Sequence, residues 1–268
     1  SDAAQALMGK TVTGLGGEFY GEYRMLNVAQ VMELPDDASA RDGASCFVNP
    51  LTALSFPETM RMEGHKALIH TAAASNLGQM LNRICLEDGM GLVNIVRKDE
   101  QAKLLKDQGA THVVNSSDDD FLDQLKAAID DTDAFYGFDP IGGGKMVDTC
   151  FKAMEQVAVG KMTEYSRYGS NQQKRMFIYG RLDFGPTTLT PSYGFGWTLS
   201  GWLLTPFLQS AGMETVMRMR KRVLDNLTTT FASGYKTKVD LEGMLTKDAI
   251  LDYRQMKTGE KYLVMPHG

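Results

Sequence analysis

Cysteine and histidine are scarce in the sequence, and their spacing excludes several kinds of site. The 268 residues include three cysteines, Cys46, Cys85 and Cys150, which form no CxxC pair. Neither a disulfide framework nor a cysteine-rich zinc site is therefore predicted, and the reducing cytoplasm is the expected location. The four histidines form no HExxH pattern, so we expect no metal at the site.

The chain also lacks an excess of positive charge and a long apolar run. A net charge of −5 argues against an extended polyphosphate-binding surface, so nucleic acid is not an expected partner. Residues 1–9 have no basic segment followed by an apolar core, so no signal peptide is predicted. The uncharged stretch 184–213 is interrupted by Pro186, Pro191 and Pro206 and falls short of the roughly 20 apolar residues of a membrane span. We interpret it as protein interior or interface.

From Lys66 onward, short apolar segments alternate with segments of helical periodicity. This alternation is typical of a parallel sheet covered by helices, and it predicts an α/β fold with a Rossmann-type, doubly wound sheet. Strands are predicted at 67–72, 92–96, 111–115, 135–139 and 176–179, with helices at 77–87, 100–108, 121–129 and 146–156.

The turn after the first strand has the small residues that a dinucleotide-binding turn requires. Ser75, Asn76, Leu77 and Gly78 follow three alanines, so main-chain amides at the start of a helix could approach a pyrophosphate, and the Ser75 or Asn76 side chain could donate to it. Only Gly78 remains of the usual three glycines. A tight turn without a ligand is the alternative.

The end of the second strand carries two cations. Arg97 and Lys98 stand roughly 20 residues after the turn, where NAD-binding proteins usually have an acidic residue for the ribose hydroxyls. A guanidinium can bind a 2′-phosphate through two hydrogen bonds, so this pair favours NADPH. The alternative is a solvated basic pair whose charge Asp99 partly offsets.

Three segments together resemble a known family. They are Asn49-Pro50-Leu51-Thr52-Ala53, the turn 74–79, and Asn94-Ile95-Val96-Arg97. Over residues 9–266 the chain resembles the zinc-independent medium-chain dehydrogenases/reductases, especially the quinone oxidoreductases and the enoyl thioester reductases.

The resemblance implies a role for each candidate site residue. Asn49 and Thr52 would lie beside the nicotinamide or its ribose, and residues 75–78 would cover the pyrophosphate. Arg97 and Lys98 would meet the 2′-phosphate. Gly142, Tyr179 and Gly180 would line the nicotinamide side. A backbone-capping role for Asn49 and a half-buried strand aromatic at Tyr179 are the alternatives.

The resemblance also implies a domain organisation. Residues 1–45 would be a remnant of a GroES-like catalytic domain, 46–227 the Rossmann domain and 228–268 the returning part of the catalytic domain. Most of the GroES-like domain, with the family's proton-donating tyrosine, has no counterpart in the sequence. Tyr168, which lies with Tyr165 near Arg167 and Lys161, is the candidate replacement, because a nearby cation favours proton donation by a phenol; an exposed connection is the alternative.

These observations predict an NADPH-dependent oxidoreductase that transfers hydride to a quinone or another small electrophile without zinc. A 2-enoyl thioester reductase and a non-catalytic NADPH-binding sensor or structural subunit are the alternatives. The uncharged stretch predicts a homodimer, because an apolar edge strand is hidden by pairing with a second copy. Trp202 is assigned to that interface, and Trp197 and Phe195 to a substrate pocket.

Overall fold

The computed structural model describes residues 1–14, 16–255 and 261–267. The chain forms two compact units, Ser1–Thr52 with Leu208–Gly268, and Ala53–Phe207. Their limits differ from the predicted boundaries after residues 45 and 227. The assignment of the chain ends to a GroES-like domain remains a prediction.

The described residues form strands and helices that are numbered here in chain order. Strands β1 to β10 are Val12–Gly14, Val31–Glu33, Ala67–His70, Gly91–Val96, His112–Asn115, Tyr136–Asp139, Lys174–Ile178, Trp197–Gly201, Thr237–Val239 and Tyr262–Val264. Helices α1 to α10 are Asp2–Gln5, Ala40–Gly43, Val48–Met62, Asn76–Asp88, Asp99–Asp107, Phe121–Thr132, Met146–Gly160, Leu204–Ala211, Met213–Asp225 and Lys247–Tyr253, with short 3-10 helices at Val28–Gln30 and Gly243–Leu245.

Strands β3 to β8 form one parallel sheet with the order β5-β4-β3-β6-β7-β8. The chain winds outward from β3 in one direction and then from β6 in the other, so the predicted doubly wound Rossmann sheet is confirmed. Central-strand residues such as Leu68, Ile69 and Phe138 are fully buried, as expected for a sheet that helices cover. By the general rule for such sheets, the reversal of strand order predicts a ligand crevice at the carboxyl ends of β3 and β6.

The other unit holds two short sheets. Strands β1 and β2 pair antiparallel, and β9 and β10 pair parallel. Near the carboxyl terminus, β9, α10 and β10 follow one another along the chain. Residues 256–260 and 268 of the predicted third domain lie outside the described residues.

Both tryptophans of the uncharged stretch pack against aromatic rings of their own unit. The Trp202 ring centroid lies 5.0 Å from that of Phe56 and 5.7 Å from that of Phe207. The Trp197 ring lies 5.4 Å from Tyr193 and 5.6 Å from the buried ring of Phe151. The predicted role of Trp202 in a dimer interface remains a prediction.

Strand β8 is the last strand of the described sheet on its side. Two apolar residues that flank it are exposed to solvent: Phe195 is 82% exposed and Leu203 is 63% exposed. Among the described residues, no helix has the length and apolar character needed to cross a membrane.

Candidate nucleotide-binding site

The turn between β3 and α4 requires glycine at one position only. A methyl group added to Gly78 would lie 2.1 Å from the Ala73 carbonyl oxygen, so a larger residue would collide with the main chain. Gly78 thus brings the first turn of α4 close to β3, which is the role of the last fingerprint glycine. The first turn of a helix presents amides that can bind an anion.

Ser75 begins helix α4 as its N-cap residue. Its Oγ accepts a hydrogen bond from the Gly78 amide at 3.1 Å. The hydroxyl keeps its own hydrogen, which can still be donated to a phosphate oxygen. Capping and the predicted phosphate contact are therefore compatible. Asn76 is half-buried and Leu77 is buried in the first turn.

Ala72 has a left-handed backbone conformation, with φ of 49°. An alanine in this region costs about 1–2 kcal/mol, and such strain clusters at functional turns.

We expect Ala72→Gly to raise the free energy of unfolding by about 0.5–1 kcal/mol, since the relief of strain exceeds the added flexibility of the unfolded chain. Chemical denaturation measures the change. Ala73→Gly is the control and should be destabilising, because Ala73 is fully buried and its φ is not positive; equal effects of the two changes would contradict the strain.

Arg97 and Lys98 are both exposed, directly after β4. Neither cation forms an ion pair within the described part of the chain, and the Asp99 carboxylate accepts a hydrogen bond from Asn115 Nδ2 at 2.9 Å. The Arg97 carbonyl accepts from Ser117 Oγ at 2.9 Å, which fixes the main chain below the guanidinium. Two unneutralised cations therefore stand at this strand end.

A buried carboxylate organises the ends of β3 and β6. Asp139 is fully buried; it accepts a hydrogen bond from the Thr71 hydroxyl and one from the Gly142 amide at 2.8 Å. Burial raises the pKa of Asp139, and these two hydrogen bonds oppose the rise. Gly142 has φ of 80°, and an added methyl group would lie 3.0 Å from the Gly180 carbonyl oxygen. The predicted Gly142 and Gly180 therefore lie side by side.

Tyr179 is half-buried, and its hydroxyl lies 2.8 Å from Nε2 of His70. Burial lowers the pKa of His70 to about 3, so the imidazole is neutral at pH 7. Burial and then the charge of Asp139 raise the pKa of Tyr179. The phenol consequently stays protonated and serves to hold the segment that follows β7. Sequence reasoning missed His70 and Asp139, although a polar residue at the end of a buried strand is a usable signal.

Tyr168 lies on the connection from α7 to β7. In a parallel sheet, connections that enter strands lie at the amino edge, opposite the edge of Gly142 and Tyr179. Its ring is 60% exposed and is covered by the Arg167 guanidinium at 4.7 Å. The structure does not bring Tyr168 to the carboxyl edge, and its catalytic role remains a prediction.

Asn49 and Thr52 lie in the first turns of α3, with Asn49 half-buried and Thr52 5% exposed. Pro50 is tolerated there because the first turn leaves amides unbonded. Asn49 is thus a helical residue rather than the predicted cap alternative. The nicotinamide roles of these two residues remain predictions.

A cleft of about 430 Å³ lies at the carboxyl edge of β7 and β8. Its size suits a small-molecule site. Trp197 and Phe195 are not among its described lining residues, and their assignment to a substrate pocket remains a prediction. The described lining residues are Gly142, Ile178, Arg181, Gly185, Pro186, Thr187, Leu199, Ser200 and Gly201. Within the described ranges, no group of three or more His, Cys, Asp or Glu is arranged to hold a metal ion.

Comparison with known proteins agrees with this fold. Residues 76–181 match the family model described as zinc-binding dehydrogenase. A Mesorhizobium loti protein assigned as an NADPH:quinone reductase has a TM-score of 0.79 and 26% identity, over 98% of this chain and 73% of its own. The chain is thus similar to the zinc-binding dehydrogenases over residues 76–181 and to an NADPH:quinone reductase structure over nearly its whole length.

Two further solved structures share the fold at lower identity. Escherichia coli quinone oxidoreductase, solved in complex with NADPH, has a TM-score of 0.65 and 16% identity, over 88% of this chain and 68% of its own. A mutant enoyl thioester reductase from Candida tropicalis has a TM-score of 0.63 and 18% identity, over 88% of this chain and 67% of its own. The resemblance recognised from the sequence is confirmed.

Proposed function

We propose that the protein is an NADPH-dependent oxidoreductase that transfers hydride to a small electrophilic acceptor. The observation that carries the proposal is the pair of unneutralised cations, Arg97 and Lys98, at the end of β4. An acidic residue at this position would bind the ribose hydroxyls of NADH, whereas a guanidinium suits a 2′-phosphate.

The residues of the turn fit the rest of the dinucleotide. Gly78 permits close approach of the main chain, and Ser75 and the first turn of α4 supply donors for the pyrophosphate. Gly142, Tyr179 and Gly180 would face the nicotinamide side, with Asp139 and His70 holding their segments in place. When bound, the reduced nicotinamide supplies the hydride.

We propose a quinone or an activated alkene as the acceptor, and a reaction that does not use zinc, in the cytoplasm. Support comes from the quinone oxidoreductases among the structural relatives. A 2-enoyl thioester reductase is the second candidate, favoured by the C. tropicalis relative. Absorbance of NADPH in the presence of a quinone panel, or of a 2-enoyl thioester, distinguishes them. Tight NADPH binding without oxidation by any acceptor would instead support a non-catalytic binding protein.

We expect Arg97→Ala to weaken NADPH binding about ten- to a hundred-fold and to leave NADH binding nearly unchanged. The reason is that a charge-assisted contact contributes roughly 1.5–3 kcal/mol. Calorimetric titration with each nucleotide measures the two dissociation constants. Lys106→Ala, an exposed cation in the last turn of α5, is the matched control and should have little effect. An equal loss for both nucleotides would count against a 2′-phosphate contact.

We also propose a homodimer that forms along the edge of β8. Phe195→Glu and Leu203→Glu change exposed side chains that flank this strand, so the fold should be retained while association is weakened. Light scattering at low micromolar concentration should give the mass of two chains for the wild type and of one chain for the double variant. Leu245→Glu, 68% exposed in the other unit, is the control. A monomeric wild type would refute the dimer.

A further inference from the structure

The cleft at the carboxyl edge of β7 and β8 has one charged lining residue among those described, Arg181. It follows Tyr179-Gly180 directly, and its guanidinium donates a hydrogen bond to the Phe184 carbonyl oxygen at 3.3 Å. This contact engages one of the five guanidinium N–H groups. Arg181 forms no ion pair within the described ranges.

The nearest acidic residue in sequence is directed elsewhere. Asp183 Oδ1 accepts a hydrogen bond from the Gly185 amide at 2.7 Å, and a methyl group added to Gly143 would lie 2.6 Å from Asp183 Cγ. The carboxylate thus packs between the two glycine segments. Arg181 is left as an uncompensated charge at the cleft.

The remaining cleft wall is apolar or uncharged. Ile178, Leu199 and Pro186 supply apolar surface, and the Oγ of the lining residue Ser200 is shielded from solvent. A charged hydrogen bond beside apolar walls is stronger than the same contact in bulk water. The cleft therefore suits a small apolar body that carries one negative charge.

This anion position is separate from the pyrophosphate turn. The turn follows β3, whereas Arg181 follows β7, and β6 lies between these two strands. Two strand spacings amount to about 10 Å. One guanidinium matches the single charge of a carboxylate, and the two can form a bidentate pair.

We propose that Arg181 binds a carboxylate of the acceptor, an inference that rests on the proposed function. The substrate class is then a conjugated carbonyl compound that carries a carboxylate away from its reacting double bond. Arg181 is a specificity-determining residue, since it distinguishes charged from neutral acceptors of the same reactivity.

The test compares 4-carboxycinnamaldehyde with its neutral methyl ester as acceptors for NADPH oxidation. We expect kcat/KM to be about ten- to a hundred-fold higher for the carboxylate than for the ester in the wild type, and Arg181→Gln to abolish this difference. Arg167→Gln, an arginine at the amino edge, should keep the preference. Equal kcat/KM values in the wild type, or a preference that survives in Arg181→Gln, would overturn the proposal while leaving the reductase function intact.

A binding measurement separates this proposal from the reductase function. Calorimetry with 4-carboxycinnamyl alcohol, which cannot accept hydride at an activated double bond, reports the anion contact without turnover. Binding that Arg181→Gln weakens at least ten-fold supports the carboxylate site even if no acceptor is reduced. The same affinity in wild type and Arg181→Gln overturns it.

Discussion

Lys174→Met is expected to lower the free energy of unfolding by about 3–5 kcal/mol, because it leaves a buried carboxylate without its partner. Lys174 is fully buried at the start of β7, and its Nζ lies 2.6 Å from Oε2 of Glu155 and 3.0 Å from Ser170 Oγ. Glu155 also accepts from the Ser170 amide at 2.8 Å. Added methyl groups on Gly169 and Gly194 would lie 2.4 Å and 3.0 Å from Glu155 Oε1, so the carboxylate is enclosed.

Two further variants test whether charge causes this loss. Lys174→Met with Glu155→Gln should recover a large part of it, because the amide can still accept from Ser170 while no charge stays buried. Lys161→Met removes a cation whose ion pairs with Asp130 and Asp133 are exposed, and it should cost no more than about 1 kcal/mol. Chemical denaturation measures all three. A Lys174→Met loss as small as that of Lys161→Met would refute the role of the buried pair.

Acidification is the second large effect. Burial lowers the pKa of His70 from 6.5 to about 3. Below pH 6.5 the unfolded chain therefore binds a proton that the folded protein rejects, and stability falls as the pH falls. The slope for one proton is about 1.4 kcal/mol per pH unit, which amounts to about 2–3 kcal/mol between pH 6.5 and 4.5. The groups that face the imidazole include Tyr179, whose hydroxyl stays protonated in this range.

Substitution of two histidines separates this contribution from the rest of the acid response. His70→Gln should remove the slope between pH 6.5 and 4.5, while an amide donor can still reach the Tyr179 hydroxyl. His112→Gln should keep it, because His112 is partly exposed and lies 2.7 Å from Asp131 rather than in the core. Unfolding by urea at half-unit pH steps provides the measurement. An unchanged slope in His70→Gln would exclude His70 as its cause.

The sequence was most informative where local pattern and topology agree. Alternation of apolar strands and helical segments predicted five strands of the sheet, and the small residues up to Gly78 predicted the turn. Helix α3 was missed because Pro50 and Pro57 oppose a helix, although Pro50 falls in the first turn, where proline is tolerated. Buried side chains lie on all sides of this helix, so no polar face marks the helical periodicity in the sequence.

The site was less predictable because its contacts join distant parts of the chain. His70 and Tyr179 are 109 residues apart, and their contact depends on β3 and β7 ending at one edge. The left-handed conformation of Ala72 was also hidden, because alanine carries no sign of positive φ. The cations near Tyr168 in the sequence suggested that its phenol donates a proton, whereas the strand order places this tyrosine at the amino edge of the sheet.

Titration of the wild-type protein with NADPH and with NADH at low salt tests the central claim most directly. Because of Arg97 and Lys98, the dissociation constant for NADPH should be at least about ten-fold lower than that for NADH. Added salt should reduce this difference between the two nucleotides, because it screens phosphate contacts. Equal dissociation constants for the two nucleotides at low salt would contradict the assignment of this strand end to the 2′-phosphate.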